Sequence, residues 1–232
     1  MVERLFSRFG KDVERYYELD SRDGHPTMRE KAGIWVRSPQ LQAVAVFRFG
    51  VWVNANVHRW LLRFPLRVLY RFLNLLTFAL WGVHIDDGAD IGGGLYIGHP
   101  GGVLIGPVKM GSNCNVGNNV TIGRRSDGRG SGGTPTIGDS VWIGTGSVIF
   151  GGITVGDGVS IAPLTVVGRN IPPQALVAGN PMKVLRERYD NTIQIHGARV
   201  QATLVLSDTP KVNAPSSTTS TSNDNDEASF PS

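Results

Sequence analysis

From Ile85 onward an aliphatic residue returns every six positions: Ile85, Ile91, Ile97, Val103, then after one extra residue Met110, Val116 and Ile122. The count resumes after a loop at Ile137, Ile143, Ile149, Val155, Ile161 and Val167. Helices repeat every 3.6 residues and strands every two, so a period of six belongs to neither and marks a stacked repeat fold. The fourth residue after each anchor is small or aliphatic, as at Ala89, Leu95, Cys114, Val120, Val141 and Val159. Glycine usually follows the anchor directly, as at Gly92, Gly111, Gly117 and Gly144. This pattern predicts a triangular coil of short strands. Anchor and fourth residue point inward, glycine turns the corners without a Cβ penalty, and each coil's backbone bonds to the coils above and below. Two runs of about six units give roughly four coils.

Before the repeat the periodicity is helical. A helix is expected over about residues 5–19, then a polar turn at Asp23-Gly24-His25-Pro26, then helices over 39–63 and 65–82. Pro65 is placed to open the last of these as a first-turn residue. In it Arg67, Arg71 and Asn74 form a narrow polar face against an apolar remainder. From Lys31 to Ile85 there is no acidic residue, while Lys31, Arg37, Arg48, Arg59, Arg63, Arg67 and Arg71 are basic. The chain carries +4 overall and the stretch after Leu206 carries −3, leaving +7 on residues 1–206. A one-signed segment of this kind suits an anionic partner.

The organisation read from these patterns is a helical region over 1–83, a repeat domain over 84–185, a C-terminal cap over 186–206 holding a short helix and a strand, and a disordered tail over 207–232. That tail is rich in Ser, Thr, Asn, Asp and Pro. The single cysteine, Cys114, falls in an inward slot and reads as a small core residue in a reducing compartment. The mixed charges of residues 1–12 do not resemble a secretory signal, and arginines interrupt every long apolar run. A cytoplasmic protein is expected. The histidines lack metal-ligand spacing, so no metal is expected, and no nucleic-acid partner.

The segments "IDDGADIGGGLYIGHPGGVLIG", "NVGNNVTIG", "IGDSVWIGTGSVIFGGITVGDGVSIAPLTVV" and "IPPQALVAGNPMKVL" resemble the serine-acetyltransferase-like branch of the hexapeptide-repeat acyltransferases. The helical "LQAVAVFRFGVWV" is similar to the N-terminal helices of this branch, especially members found with exopolysaccharide synthesis. The resemblance implies a mainly β fold, a left-handed parallel β-helix with an N-terminal α-helical segment. It also implies a homotrimer with active sites between neighbouring prisms, and acetyl-CoA as co-substrate.

By the same resemblance His99, in "YIGHPGG", matches the catalytic histidine. An imidazole suits removal of the proton from an attacking hydroxyl. His84 stands where the family often has a carboxylate that orients the histidine, with Asp86 or Asp87 as possible substitutes. CoA contacts are expected near Gly123, Thr145, Ala162, Pro163 and Lys183, with Arg186 beside the last. Pro163 departs from the family's usual alanine and lacks an amide donor. Arg124 and Arg125, with Arg129 in the loop 123–136, are expected either to meet an anionic acceptor or CoA phosphate or to be solvated charges of an insertion. Asp86 joins them as an acceptor contact.

Serine-specific members carry aspartate before the histidine and an Arg-His pair after the loop, and this chain has Gly98, Gly133 and Thr134 there. A glycan hydroxyl of surface polysaccharide is therefore expected as acceptor. The alternatives are L-serine and, because of His84 and Pro163, a non-catalytic scaffold. The basic helices are expected to pack around the trimer base or, in the second reading, to lie peripherally on the anionic inner membrane leaflet.

Overall fold

The computed structural model describes residues 2–20, 26–125 and 132–197. The expectations for residues 23–25 of the turn, Arg129 and residues 198–232 lie outside them. Four helices come first: α1 (Val2–Asp20), α2 (Met28–Arg37), α3 (Pro39–Asn56) and α4 (Trp60–Trp81). The repeat then forms three parallel sheets. The first stacks β1 (Val83–Ile85), β4 (Val103–Ile105), β7 (Thr121–Gly123), β10 (Val148–Phe150) and β13 (Val166–Val167). The second stacks β2 (Asp90–Ile91), β5 (Lys109–Met110), β8 (Thr136–Ile137) and β11 (Thr154–Val155). The third stacks β3 (Tyr96–Ile97), β6 (Asn115–Val116), β9 (Trp142–Ile143), β12 (Ser160–Ile161) and β14 (Leu176–Ala178), closed by the antiparallel β15 (Lys183–Arg186). A short α5 (Thr192–His196) follows. The chain is thus a mainly β solenoid with N-terminal helices.

The inward residues stack on one another, Ile85 on Ile105, Ile91 on Met110 and Ile97 on Val116. Val103, expected as an anchor, pairs with Val83 instead, so the anchor of that face is Ile105, two residues later. Anchors and fourth residues are almost entirely buried, from Ile97 and Val141 at 0% exposure to Ile153 at 9%. There are about five coils rather than four. The last coil is closed by Ile171, bridged to Val155, and by Val177, paired with Ile161. Ile171 follows Val167 by four residues, so this short face drops out of a six-residue count.

The glycines after the anchors serve a different purpose from the one expected. None of Gly92, Gly111, Gly117 or Gly144 has positive φ. They are small because the next coil lies directly over them: a Cβ on Gly117 would stand 2.7 Å from the Thr145 nitrogen, and one on Gly144 2.5 Å from the Pro163 nitrogen. The corners instead turn three residues after the anchor. There Asn113, Asn119, Ser140, Leu164 and Gln174 hold φ between 53° and 59°, a left-handed conformation that L-residues adopt at a cost. Gly94, Gly146 and Gly158 hold positive φ at the same position.

The helices cap the first coil. Ala43, Val44 and Phe47 of α3 belong to the same buried core as the prism. α2 was not legible as a helix, although its start carries a complete capping box: the Thr27 side chain takes the Glu30 amide and the Glu30 carboxylate takes the Thr27 amide. α4 begins at Trp60, five residues before Pro65. The Leu61 carbonyl loses its helical donor at Pro65, but Leu61 is 70% exposed, so water can replace that bond. At the C-terminus the strand precedes the helix.

Cys114 is fully buried, and its thiol donates to the Gly138 carbonyl at 3.3 Å. Burial pushes the thiol up to about 12, which suppresses the reactive thiolate. The native protein is expected to resist alkylation by iodoacetamide at mildly alkaline pH and to react stoichiometrically once unfolded. Rapid native labelling, read by mass spectrometry, would contradict this packing.

Candidate functional site

His99 lies just past β3, two residues after the inward Ile97, and is exposed. It opens onto a cleft of about 570 Å³ between the prism wall and the helices, lined also by Asp20, Arg37, Gln40, Tyr96 and Gly98. The Tyr96 hydroxyl donates to the Asp20 carboxylate at 3.0 Å, and Ser38 donates to its other oxygen at 3.4 Å. Burial pushes the Asp20 carboxyl above its ordinary value, while those two bonds and the neighbouring His99 pull it back. Burial and the Asp20 charge also hold the proton on Tyr96, which keeps that hydroxyl a donor toward the carboxylate. Gln40 lines the cleft with its Oε1 buried and without a partner among the described residues. Arg37 closes α2 with its Nε donating to the Gly33 carbonyl at 3.2 Å.

Asp20, Arg37, Gln40 and Tyr96 were not found from the sequence. Tyr96 immediately precedes an inward anchor and so faces outward near His99, a signal the repeat contains. Asp20, Arg37 and Gln40 come from helices whose packing on the prism no period encodes.

The other candidates divide between two edges of the prism. His99, Asn118, Thr145 and Pro163 each follow an anchor of the third sheet by two residues. They therefore rise in one column, and the Thr145 hydroxyl donates to the Asn118 side chain at 2.8 Å. Adjacent coils lie roughly 4.8 Å apart, which puts Thr145 about 10 Å and Pro163 about 14 Å above His99. Asp86, Gly123, Arg124 and Arg125 instead follow the first sheet, at the next edge. The Asp86 carboxylate accepts from the Gly88 amide at 2.8 Å, and that of Asp87 accepts from Asn54 at 2.6 Å. Arg124 is exposed, and the Arg125 guanidinium lies 5.9 Å from the centre of the Phe150 ring.

His84 occupies β1, half-buried, with its ring edge-on to Phe78 of α4 at 6.2 Å between centroids. It lines a different depression from His99, so a single chain does not bring the two imidazoles together. Lys183 and Arg186 are exposed on β15. Among the described residues no group of three or more His, Cys, Asp or Glu could hold a metal.

Residues 134–169 match the family described as "Bacterial transferase hexapeptide (six repeats)". A serine acetyltransferase from Synechococcus elongatus is 32% identical over 183 residues, 78% of this chain and 69% of that protein. One from Mycobacterium tuberculosis is 37% identical over 136 residues, 58% of each chain. The crystal structure of a Neisseria gonorrhoeae serine acetyltransferase in complex with serine superposes with a TM-score of 0.62 at 25% identity. It covers 79% of this chain and 70% of that one.

These relatives overturn the expectation of a polysaccharide hydroxyl as acceptor. That expectation rested on Gly98, Gly133 and Thr134, on the premise that an amino acid's charges could be met only from those positions. The helices place two acids and a base, Asp20, Glu30 and Arg37, on the same cleft as His99. The match to the repeat model and the Synechococcus relative, covered over more than two thirds of its length, lead to one assignment: the chain belongs to the hexapeptide-repeat β-helix acyltransferases, with serine acetyltransferases as its relatives.

Proposed function

We propose that this chain is a serine O-acetyltransferase that takes its acetyl group from acetyl-CoA. The observation that carries the reading is the opposed charge of Asp20 and Arg37 around His99 in one cleft. A zwitterionic amino acid matches that arrangement. Its ammonium faces the Asp20 carboxylate, and its carboxylate faces the Arg37 guanidinium. The hydroxyl is then directed at His99.

In the reaction the serine oxygen attacks the thioester carbonyl as the His99 imidazole takes the hydroxyl proton. The tetrahedral intermediate collapses with cleavage of the C–S bond, and the imidazolium returns the proton to the departing sulfur. O-acetylserine and CoA result, with no covalent enzyme intermediate.

The pantetheine arm is proposed to climb the column from His99 past Thr145 to Ala162 and Pro163, with its phosphates toward Lys183. Asp86, Gly123, Arg124 and Arg125 reach such a site only from a second prism, because they occupy another edge. That division suits a trimer with sites between neighbours, in which the His99–Pro163 column of one chain meets the Arg124–Arg125 edge of the next.

CoA release with acetyl-CoA and L-serine tests the reading. Arg37→Gln is expected to raise KM for L-serine about tenfold, the loss of roughly one charge-assisted bond, with kcat and KM for acetyl-CoA nearly unchanged. Equal turnover of L-serine and a simple alcohol lacking both charges would overturn the acceptor assignment.

A further inference from the structure

α4 leaves most of its circumference uncovered. Only Tyr70 and Thr77 of its 22 residues are buried. Trp60 is 74% exposed, Phe64 70%, Leu75 62% and Leu80 66%, with Leu61, Leu62, Val68, Leu69 and Phe72 also exposed. At 100° per residue the exposed apolar side chains sweep a broad arc, and Arg63, Arg67 and Arg71, four apart, form a stripe along one border of it. Trp60, Arg63, Phe64, Arg67, Val68 and Arg71 line a shallow depression of about 380 Å³ that mixes guanidinium groups with apolar walls. An uncovered apolar surface this continuous marks a binding face.

We propose that α4 is an in-plane anchor that seats the enzyme on an anionic phospholipid bilayer. Charge selects this occupant. The ion pairs among the described residues are Arg8–Asp90 and Arg48–Asp12, so among these residues the α4 arginines have no carboxylate partner and the Arg63 Nε has no hydrogen-bond partner. The acids nearest in sequence are engaged elsewhere: Asp86 with the Gly88 amide, Asp87 with Asn54, Asp90 with Arg8. A second copy meeting this face about a twofold axis would bring the same arginines toward one another. A bilayer of anionic lipids supplies phosphates for the basic stripe and acyl chains for the apolar arc. No described helix is long and apolar enough to cross a membrane, and α4, roughly 33 Å long, lies along the surface rather than through it. Trp60, 74% exposed at the first turn, is placed to settle at the lipid interface, while Trp81 at the other end packs on the prism core.

Flotation of the full chain with vesicles tests this, comparing phosphatidylcholine alone with phosphatidylcholine plus phosphatidylglycerol. Binding is expected only to the anionic vesicles and to weaken as salt rises. Each arginine near such a surface contributes about fivefold in partitioning, so Arg63→Gln, Arg67→Gln and Arg71→Gln together are expected to lower it about a hundredfold. Leu61→Ser, Phe64→Ser and Leu75→Ser together should abolish binding at any salt, with circular dichroism confirming that the folded state is kept. No binding to anionic vesicles at low salt would overturn the proposal, as would equal binding to both vesicle types. A serine-substituted variant that still floats but falls from its native oligomer to a smaller one would assign the face to a second copy instead.

Discussion

Replacing His99 with alanine is expected to lower kcat for CoA release by about 10²- to 10⁴-fold, the usual contribution of a positioned general base. KM for acetyl-CoA should change little, since the column through Thr145 and Pro163 is untouched. The loss belongs to the transition state: the serine hydroxyl gives up its proton only as the C–O bond forms, and without the imidazole that proton has no acceptor at the right place. Two companion variants sharpen the result. Asp20→Asn keeps the shape of the cleft and removes the charge proposed to meet the serine ammonium, so it should raise KM for L-serine and lower kcat by less than His99→Ala. His84→Ala tests the second imidazole, which in a single chain lies in another depression. If the trimer brings it to His99 across a subunit boundary, His84→Ala and His99→Ala combined should be no worse than His99→Ala alone, since residues acting as a unit are not additive. A His99→Ala enzyme with unchanged kcat would remove the general-base assignment.

The prism was legible because every coil repeats the same demand: one inward aliphatic at the anchor, one small inward residue four later, one glycine where the next coil presses close. Six-residue spacing survives in sequence when the faces are of equal length, so the shortened face at Ile171 was lost and a coil went uncounted. The corner conformation was misassigned for a related reason. Glycine directly after an anchor suggests a left-handed turn, yet there its missing side chain relieves contact between coils. The positive φ falls two residues later, on asparagine, serine, leucine and glutamine as well as on Gly94, Gly146 and Gly158. The acceptor side of the cleft was illegible in a deeper sense. Asp20 and Tyr96 are 76 residues apart, and their meeting depends on how α1 lies on the first coil, which no local pattern records. Reading the missing serine contacts off motif positions alone therefore pointed to the wrong acceptor.

The contact that fixes α1 on the prism should be costly to break: Asp12→Ala is expected to destabilise the protein by about 3–5 kcal/mol, a fall of roughly 10 °C in Tm for a domain of this size. Asp12 is fully buried. One of its oxygens accepts from the Gly94 and Leu95 amides, both at 2.8 Å, and the Arg48 guanidinium donates to both oxygens, at 2.8 and 3.1 Å. Arg48, 3% exposed, also donates to the Ile91 and Gly92 carbonyls. Burial alone would push the Asp12 carboxyl up, and the guanidinium and the two amides pull against it. Removing the carboxylate leaves a buried cation half-satisfied and two amides without acceptors. Asp12→Leu with Arg48→Met removes both charges, so the pair should cost less than the sum of the single losses. Because the same helix ends at Asp20, loosening it should also weaken the cleft. Asp12→Ala is therefore expected to raise KM for L-serine more than KM for acetyl-CoA, even at temperatures where the prism stays folded. A thermal melt unchanged by Asp12→Ala would show that α1 is held some other way, and the acceptor cleft built on its C-terminal end would lose its physical support.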